Sequence, residues 1–210
     1  MLTARIAVLV SGGGTNLQAL IDSRTRGELK SGEIALVIAD RAGVKAIDRA
    51  GAAGIDCAVI PRREPGFEEK VLSALSAHTI DMVILAGFLG ILSGDFIARF
   101  SGPIINIHPA LIPSFCGEGY YGLHVHERAL EYGVKVSGAT VHFVSEECDG
   151  GPIVLQKAVP VEEGDTPETL QRRIMEQAEW VILPEAVSLF CQGRLRVEGR
   201  AVRILNQPNL

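Results

Sequence analysis

Four cysteines in 210 residues, at positions 57, 116, 148 and 191, are too few and too scattered for a zinc ribbon, a C-x-x-C redox motif or a disulfide framework. Positive charge is also short. Twenty Lys and Arg against 25 Asp and Glu leave a net charge of −5, so no basic footprint invites nucleic acid or an anionic membrane. Any bound phosphate must therefore be held locally. Long apolar runs are absent too: each is strand-sized and broken by Gly or charge, and MLTARIAVLV enters a strand without a signal-peptide cleavage pattern. The expected location is the cytoplasm. With no low-complexity segment, linker or internal repeat, residues 1–210 are expected to form one domain.

What is present is alternation. Apolar runs at Arg5–Val10, Ile34–Ala39, Cys57–Ile60, Met82–Ala86 and Ile104–Ile107 are separated by helix-period segments at Asn16–Arg26, Val44–Ala53, Phe67–His78 and Phe96–Phe100. This pattern predicts βαβ units on an open, mostly parallel, doubly wound α/β sheet flanked by helices. After a helix near Leu123–Tyr132, runs Gly138–Val144 and Ile153–Val161 predict an antiparallel hairpin in the C-terminal half. Thr166-Pro-Glu-Thr predicts a capped helix start, and Pro184 is expected to kink or split that helix. The closing GRLRVEGRAVRIL reads as a short strand pair.

Three short segments carry chemistry. VSGGGTNLQ, residues 10–18, lies between the first strand and first helix, where glycines turn N–H groups toward an anion and the helix N-terminus adds positive charge. Gly12 and Gly14 fit the start of G-x-G-x-x-G and Asp40 ends the second strand, but Leu17 occupies the third glycine position. No Gly-Lys-Ser/Thr follows, so this is not a Walker A loop. In IINIHPALIPSF, Asn106 and His108 are two apart and share one face of a strand that Pro109 ends. They sit on the side of an open α/β sheet where ligands bind. Imidazole moves protons near neutral pH and the carboxamide stabilises an oxyanion without titrating; a satisfied buried pair is the plainer alternative. In ECDGGP, Asp149 could orient His108 or relay a proton, or mark only a turn.

Other chemistries find less support. His124 and His126 are two apart on a helix and cannot chelate together, so no metal is expected, and at least one should face solvent. His142 shares a strand face with Thr140 and Val144 and is expected to support the site. No G-x-S-x-G or reactive cysteine motif is present.

Taken in order, VSGGGTNLQAL, LAGFLGILS, IINIHPALIPSF, GLHVHERAL, SGATVHFV, DGGPIVLQ and AEWVILPEAV resemble the phosphoribosylglycinamide formyltransferase family, from about residue 5 to residue 195. The resemblance implies a Rossmann-like phosphate-binding half (1–100) and a catalytic and folate-binding half (101–210). It implies transfer of a formyl group from the co-substrate 10-formyltetrahydrofolate to the amine of a phosphoribosylglycinamide, in purine synthesis, through a tetrahedral intermediate and without a metal. It assigns Asn106 as oxyanion donor, His108 as proton donor or shuttle, and Asp149 as the carboxylate that positions His108. Gly14, Thr15, Asn16, Gly87, Pro109 and Glu179 would bind the ribonucleotide. Leu89, Gly90, Ile91, Leu92, Phe96, Ile97, Val144 and Arg63 would bind the folate. Partners would be small molecules, with no nucleic acid or membrane, and the state a monomer or homodimer.

Three positions depart from the family's common pattern. Gly90 replaces a frequent arginine, for which Arg62 or Arg63 could compensate; SFCGEGYYG is longer than the usual loop; and Glu176 stands where some relatives carry a basic residue. The alternatives weighed are a nicotinamide-dependent dehydrogenase argued by Gly12, Gly14 and Asp40, and a formyltransferase acting on a sugar or aminoacyl-tRNA. A formylfolate hydrolase and a non-catalytic binding protein complete the set. The sugar and tRNA enzymes are expected to carry a further C-terminal domain and the hydrolase an N-terminal one.

Overall fold

Strand β1 (Ala4–Val10) sends Ile6, Val8 and Val10 into one apolar cluster and Ala7 and Leu9 into another, and all five are fully buried. A strand apolar on both faces belongs in the middle of a sheet covered by helices on both sides. The computed structural model, which describes residues 3–208, places it there. Beside it lie β2 (Gly32–Ala39) and β4 (Met82–Leu85), with β3 (Asp56–Val59) beyond β2 and β5 (Ile104–His108) beyond β4, all parallel. The chain winds outward from β1 to β3 and returns to β4. Winding therefore reverses between β1 and β4, the switch point at which open α/β sheets bind ligands.

On one face pack α1 (Thr15–Thr25), α2 (Lys45–Ala52), α6 (Pro167–Ile174) and α7 (Trp180–Cys191), through Leu17, Leu20, Ala46, Ala50, Leu170, Ile174, Ile182 and Leu183. On the other pack α3 (Phe67–Ala77) and α4 (Gly94–Arg99), through Phe67, Val71, Leu75 and Phe96. Helix α5 (Leu123–Tyr132) lies against α6.

Beyond β5 the sheet turns antiparallel. Strand β6 (Val136–Phe143) pairs with β5 and with β7 (Ile153–Pro160), giving the expected hairpin, joined by a nine-residue loop rather than a two-residue turn. The closing pair, β8 (Leu195–Glu198) and β9 (Ala201–Ile204), extends the same sheet through Ile153 and Ala201.

Helix α6 starts as the sequence indicates: Thr166 Oγ1 accepts from Thr169 N at 3.3 Å, Thr169 Oγ1 accepts from Thr166 N at 2.9 Å, and Pro167 fills the first turn. Pro184 does not split the long helical segment. It lies buried inside α7, and the irregularity is a π-helical turn at Met175–Glu179 just upstream. The π turn is wider than the α-helical turns on either side. It also turns Ala178 and Glu179 inward together.

Close sheet packing makes one glycine indispensable. A Cβ at Gly138 in β6 would lie 2.1 Å from the Lys157 carbonyl oxygen and 2.9 Å from Leu111 Cδ2. Gly138→Ala is expected to destabilise the protein by about 1–3 kcal/mol, read as a Tm lowered by several degrees; unchanged melting would contradict this packing.

Candidate active site

The β5–β6 register sets Asn106 opposite His142 and His108 opposite Thr140. Each pair has a distinct task. Thr140 pins the chain that leaves β5: its hydroxyl donates to the Ala110 carbonyl at 2.6 Å and accepts from Ile112 N at 3.1 Å, with Gln156 Nε2 at 3.0 Å. His142 faces the Phe143 carbonyl with Nδ1 at 2.9 Å, so Nδ1 carries the hydrogen and Nε2 accepts from Asn106 Nδ2 at 3.1 Å. The second hydrogen of the Asn106 amide makes only a long approach, 3.4 Å, to Asp149 Oδ1. That hydrogen is available to a ligand oxygen.

Asp149 reaches these groups from the β6–β7 loop in a left-handed conformation, φ 54°, which is uncommon for a residue other than glycine. Two residues on, Gly151 lets the loop pass close against β6, because a Cβ there would lie 1.8 Å from the Phe143 carbonyl oxygen. Asp149 Oδ2 accepts from Gly117 N at 2.9 Å and lies 3.4 Å from His108 Nδ1, while Oδ1 lies 3.4 Å from His142 Nε2. Burial alone would raise this carboxyl's pKa, but His142, His108 and the Gly117 N–H together hold it below its ordinary value. It is therefore a carboxylate at neutral pH.

His108 is almost fully buried, and its Nε2 lies 2.8 Å from the Phe115 carbonyl, which only an N–H can satisfy. Nδ1, facing Asp149, is then the nitrogen free to gain a proton. Desolvation lowers the imidazole's pKa below 6.5, while Asp149 and the Phe115 carbonyl oppose that shift. The ring is held neutral near pH 7 in a setting prepared to stabilise its charged form.

These groups stand in the wall of a cavity of about 480 Å³ at the switch point, a volume suited to small molecules. One end is apolar, lined by Leu85, Phe88, Leu89, Ile91, Leu92 and Val144. The other is formed by Gly12, Thr15, Asn16 and Glu179. At that end α1 begins from Gly14, with φ 69° and no acidic residue in its first turn, so its free N–H groups can meet an anion. Asn16 Nδ2 donates to Glu179 Oε2 at 2.6 Å, and the buried Asn16 Oδ1 has no partner. Burial pushes the Glu179 pKa up to about 7 despite the Asn16 hydrogen bond.

Most residues expected from the sequence meet here. Asn106, His108, Asp149, Thr15, Asn16, Gly87, Pro109, Glu179, Leu89, Gly90, Ile91, Leu92 and Val144 all line the cavity. Four do not. Gly14 packs against Ala46 behind the loop, Phe96 is wholly buried in the core beneath α4, Ile97 packs against that core, and Arg63 lies exposed in a separate groove with Asp40, Arg41 and Arg62. Ser93 caps α4 by accepting from Phe96 N at 3.1 Å, and the helical period then turns Phe96 inward. At Gly90 the neighbouring cation is Arg62: a Cβ there would lie 2.9 Å from Arg62 Cδ, and Arg62 Nη1 donates to the Leu89 carbonyl at 2.6 Å.

Other residues, given no site role in the sequence, also join the site. Ser11 accepts from Leu89 N at 2.9 Å and donates to Asp40 at 2.8 Å, tying the glycine loop to the segment after β4. Asp40 is thereby buried and also bonded to Arg41, which leaves no carboxylate for a dinucleotide ribose. Glu118, Tyr120 and Tyr121 from the long loop line the cavity, as do Gln171 and Met175. His124 is exposed, whereas His126 is fully buried with neither ring nitrogen partnered, its pKa pushed down to about 4 by burial and by nearby His108. Among the described residues, no group of three or more His, Cys, Asp or Glu could hold a metal ion, and no helix is long and apolar enough to cross a membrane.

The same arrangement has known relatives. Residues 4–187 match the model of the formyl transferase family. The chain is 46% identical over 198 residues to the human trifunctional purine biosynthetic protein adenosine-3, covering 92% of this chain but only 19% of that protein. It is 38% identical over 201 residues to the phosphoribosylglycinamide formyltransferase of Escherichia coli strain K12, covering 93% and 91% of the two chains. The crystal structure of glycinamide ribonucleotide transformylase 1 from Symbiobacterium toebii superposes with a TM-score of 0.90 at 46% identity, covering 97% of this chain and 95% of that one. The family match over residues 4–187, the identity to the Escherichia coli enzyme over most of both chains and the close structural superposition lead to one conclusion: this chain belongs to the formyl transferase family.

Proposed function

We propose that this protein transfers the formyl group of 10-formyltetrahydrofolate to the amine of phosphoribosylglycinamide, as its relatives' names suggest. The observation that carries the reading is one cavity with two ends, apolar and anion-receiving, whose shared wall holds Asn106, His108 and Asp149. The apolar end suits a pterin and the glycine-loop end suits a ribose phosphate. Residues 1–100 supply the glycine loop and most of the apolar lining, and residues 101–210 supply Asn106, His108, Asp149 and Glu179.

In this reading Asn106 donates its free amide hydrogen to the formyl oxygen as negative charge develops there. His108 Nδ1 takes the proton that the attacking amine loses, with Asp149 stabilising the imidazolium, and returns it to N10 of the folate as the carbon–nitrogen bond breaks. One proton leaves the amine and one reaches N10, so the transfer balances without an acyl-enzyme. Glu179 and the unpartnered Asn16 oxygen would accept hydrogen bonds from the sugar or glycinamide end. We infer a cytoplasmic location, small-molecule partners only, and a monomer or homodimer.

The direct test incubates the protein with 10-formyltetrahydrofolate, with and without the ribonucleotide, and follows tetrahydrofolate by absorbance. Ribonucleotide-dependent product supports transfer. Product formed equally without it would establish a formylfolate hydrolase, in which water replaces the amine at the same residues.

Asn106→Ala and His108→Ala should each lower kcat by about 100-fold or more while leaving the melting temperature near that of wild type; undiminished turnover in either would remove that residue from the mechanism. Asp149→Asn deletes the charge that raises the His108 pKa, so the acidic limb of the rate profile should move to lower pH as activity falls. A superimposable profile would count against this role.

Glu179 gives a stability test. Its folded pKa, about 7, lies above the ordinary 4.5, so the folded protein binds the extra proton more tightly than the unfolded chain. The resulting stabilisation is complete below about pH 4.5 and is lost as pH rises through 7. Urea unfolding of Glu179→Gln should lack this pH-dependent component; identical pH dependence in variant and wild type would refute it.

A further inference from the structure

A glycine loop that receives an anion must show its N–H groups and hide its carbonyls, since a carbonyl oxygen aimed at a phosphate repels it. Here the carbonyls of all three glycines are accounted for. Gly12 O accepts from Ala46 N at 3.3 Å, Gly13 O accepts from Arg49 Nε at 2.9 Å, and Gly14 O accepts from Gln18 N at 2.9 Å. Two of the three partners come from α2. Arg49 also donates through Nη1 to Gln18 Oε1 at 2.8 Å, so one guanidinium joins α2 to both the loop and α1. The approach is close: a Cβ at Gly14 would lie 2.7 Å from Ala46 Cβ and 3.4 Å from Arg49 Cδ.

Charge points to the same residue. Glu118, Glu146, Glu147, Asp149 and Glu179 line the cavity, and among the described residues no Lys or Arg does. Glu176 is exposed and away from the cavity lining. Arg49 is half-buried directly behind the loop, and among the described residues no carboxylate forms an ion pair with it, unlike Arg26, Arg99 and Arg173. Its charge is therefore uncompensated where the cradle needs one.

We propose that Arg49 is the positioning residue of the phosphate cradle, turning the Gly13 carbonyl away from the cavity and supplying, through the loop, the positive charge that the cavity lining lacks. This deepens the proposed function, because it rests on the glycine-loop end receiving a ribose phosphate. It assigns Arg49 no contact with the reacting atoms.

The test separates phosphate binding from chemistry. Wild type, Arg49→Lys and Arg49→Met are titrated calorimetrically with ribose 5-phosphate. They are then assayed with the ribonucleotide and with its 5′-dephosphorylated form. Arg49→Met should bind ribose 5-phosphate about tenfold more weakly, the scale of one charge-assisted hydrogen bond, with Arg49→Lys in between. The KM for the ribonucleotide should rise by a similar factor while kcat and the KM for the formylfolate change by less than about twofold. With the dephosphorylated substrate the difference between wild type and variant should disappear. Equal ribose 5-phosphate affinity in wild type and Arg49→Met, no binding to wild type, or an equally large loss with the dephosphorylated substrate would each overturn the proposal. Arg49-dependent ribose 5-phosphate binding in a protein that transfers no formyl group would uphold Arg49 and refute the proposed function.

Discussion

A largely buried carboxylate needs compensating polar groups around it, and the site is organised around one such group, Asp149. Its partners come from three segments: the N–H of Gly117 from the long loop, His108 from β5 and His142 from β6. Holding all three fixes the loop over the cavity, the orientation of the His108 imidazole and, through His142, the rotamer of Asn106. Loss of the carboxylate would release each of them at once. The left-handed backbone at Asp149 is a local cost accepted to bring it there, and the packing of Gly151 under the Phe143 carbonyl makes that path possible.

The sheet explains why these groups can meet a two-ended cavity. Parallel strands β1 and β4 deliver the glycine loop and the Gly87–Leu92 segment to the same edge, where Ser11 N donates to the Gly87 carbonyl at 3.1 Å. The antiparallel β6 then runs back beside β5 and brings His142 level with Asn106. A wholly parallel continuation would have needed a crossover at this point and could not have placed the Asp149 loop directly above β5. The π-helical turn adds the last polar group by rotating Glu179 toward Asn16. Fold and site are thus linked by strand direction.

Much of this was legible in the sequence. The alternation of apolar strands and helical periods carries the parallel half because β1, β2, β4 and β5 are largely buried on both faces and read as continuous apolar runs, while the edge strand β3 is exposed. Asn106 and His108 stand out because two polar groups end such a run on one face. Asp149 was visible as a residue, yet its reach to His108 depends on a nine-residue loop and a positive φ that no periodicity encodes. Glu179 was assigned from family resemblance alone, since the π-helical turn that aims it has no sequence pattern. Phe96 was misplaced for the converse reason: its helix is short, and the cap at Ser93 decides which face turns inward. Arg49 drew no notice because an arginine on an amphipathic surface helix looks like solvated charge until its carbonyl partner is seen.

The claim at the centre of this account is that the Phe115 carbonyl and Asp149 divide the two nitrogens of His108, leaving Nδ1 as the one that gains and gives the proton. Nitrogen-15 NMR of the imidazole, titrated through neutral pH in protein labelled at histidine, reads this directly. The expected result is a neutral ring with its hydrogen on Nε2, whose Nδ1 takes up the proton at a midpoint below 6.5. A neutral His108 with its hydrogen on Nδ1, or a midpoint above that value, would contradict the account.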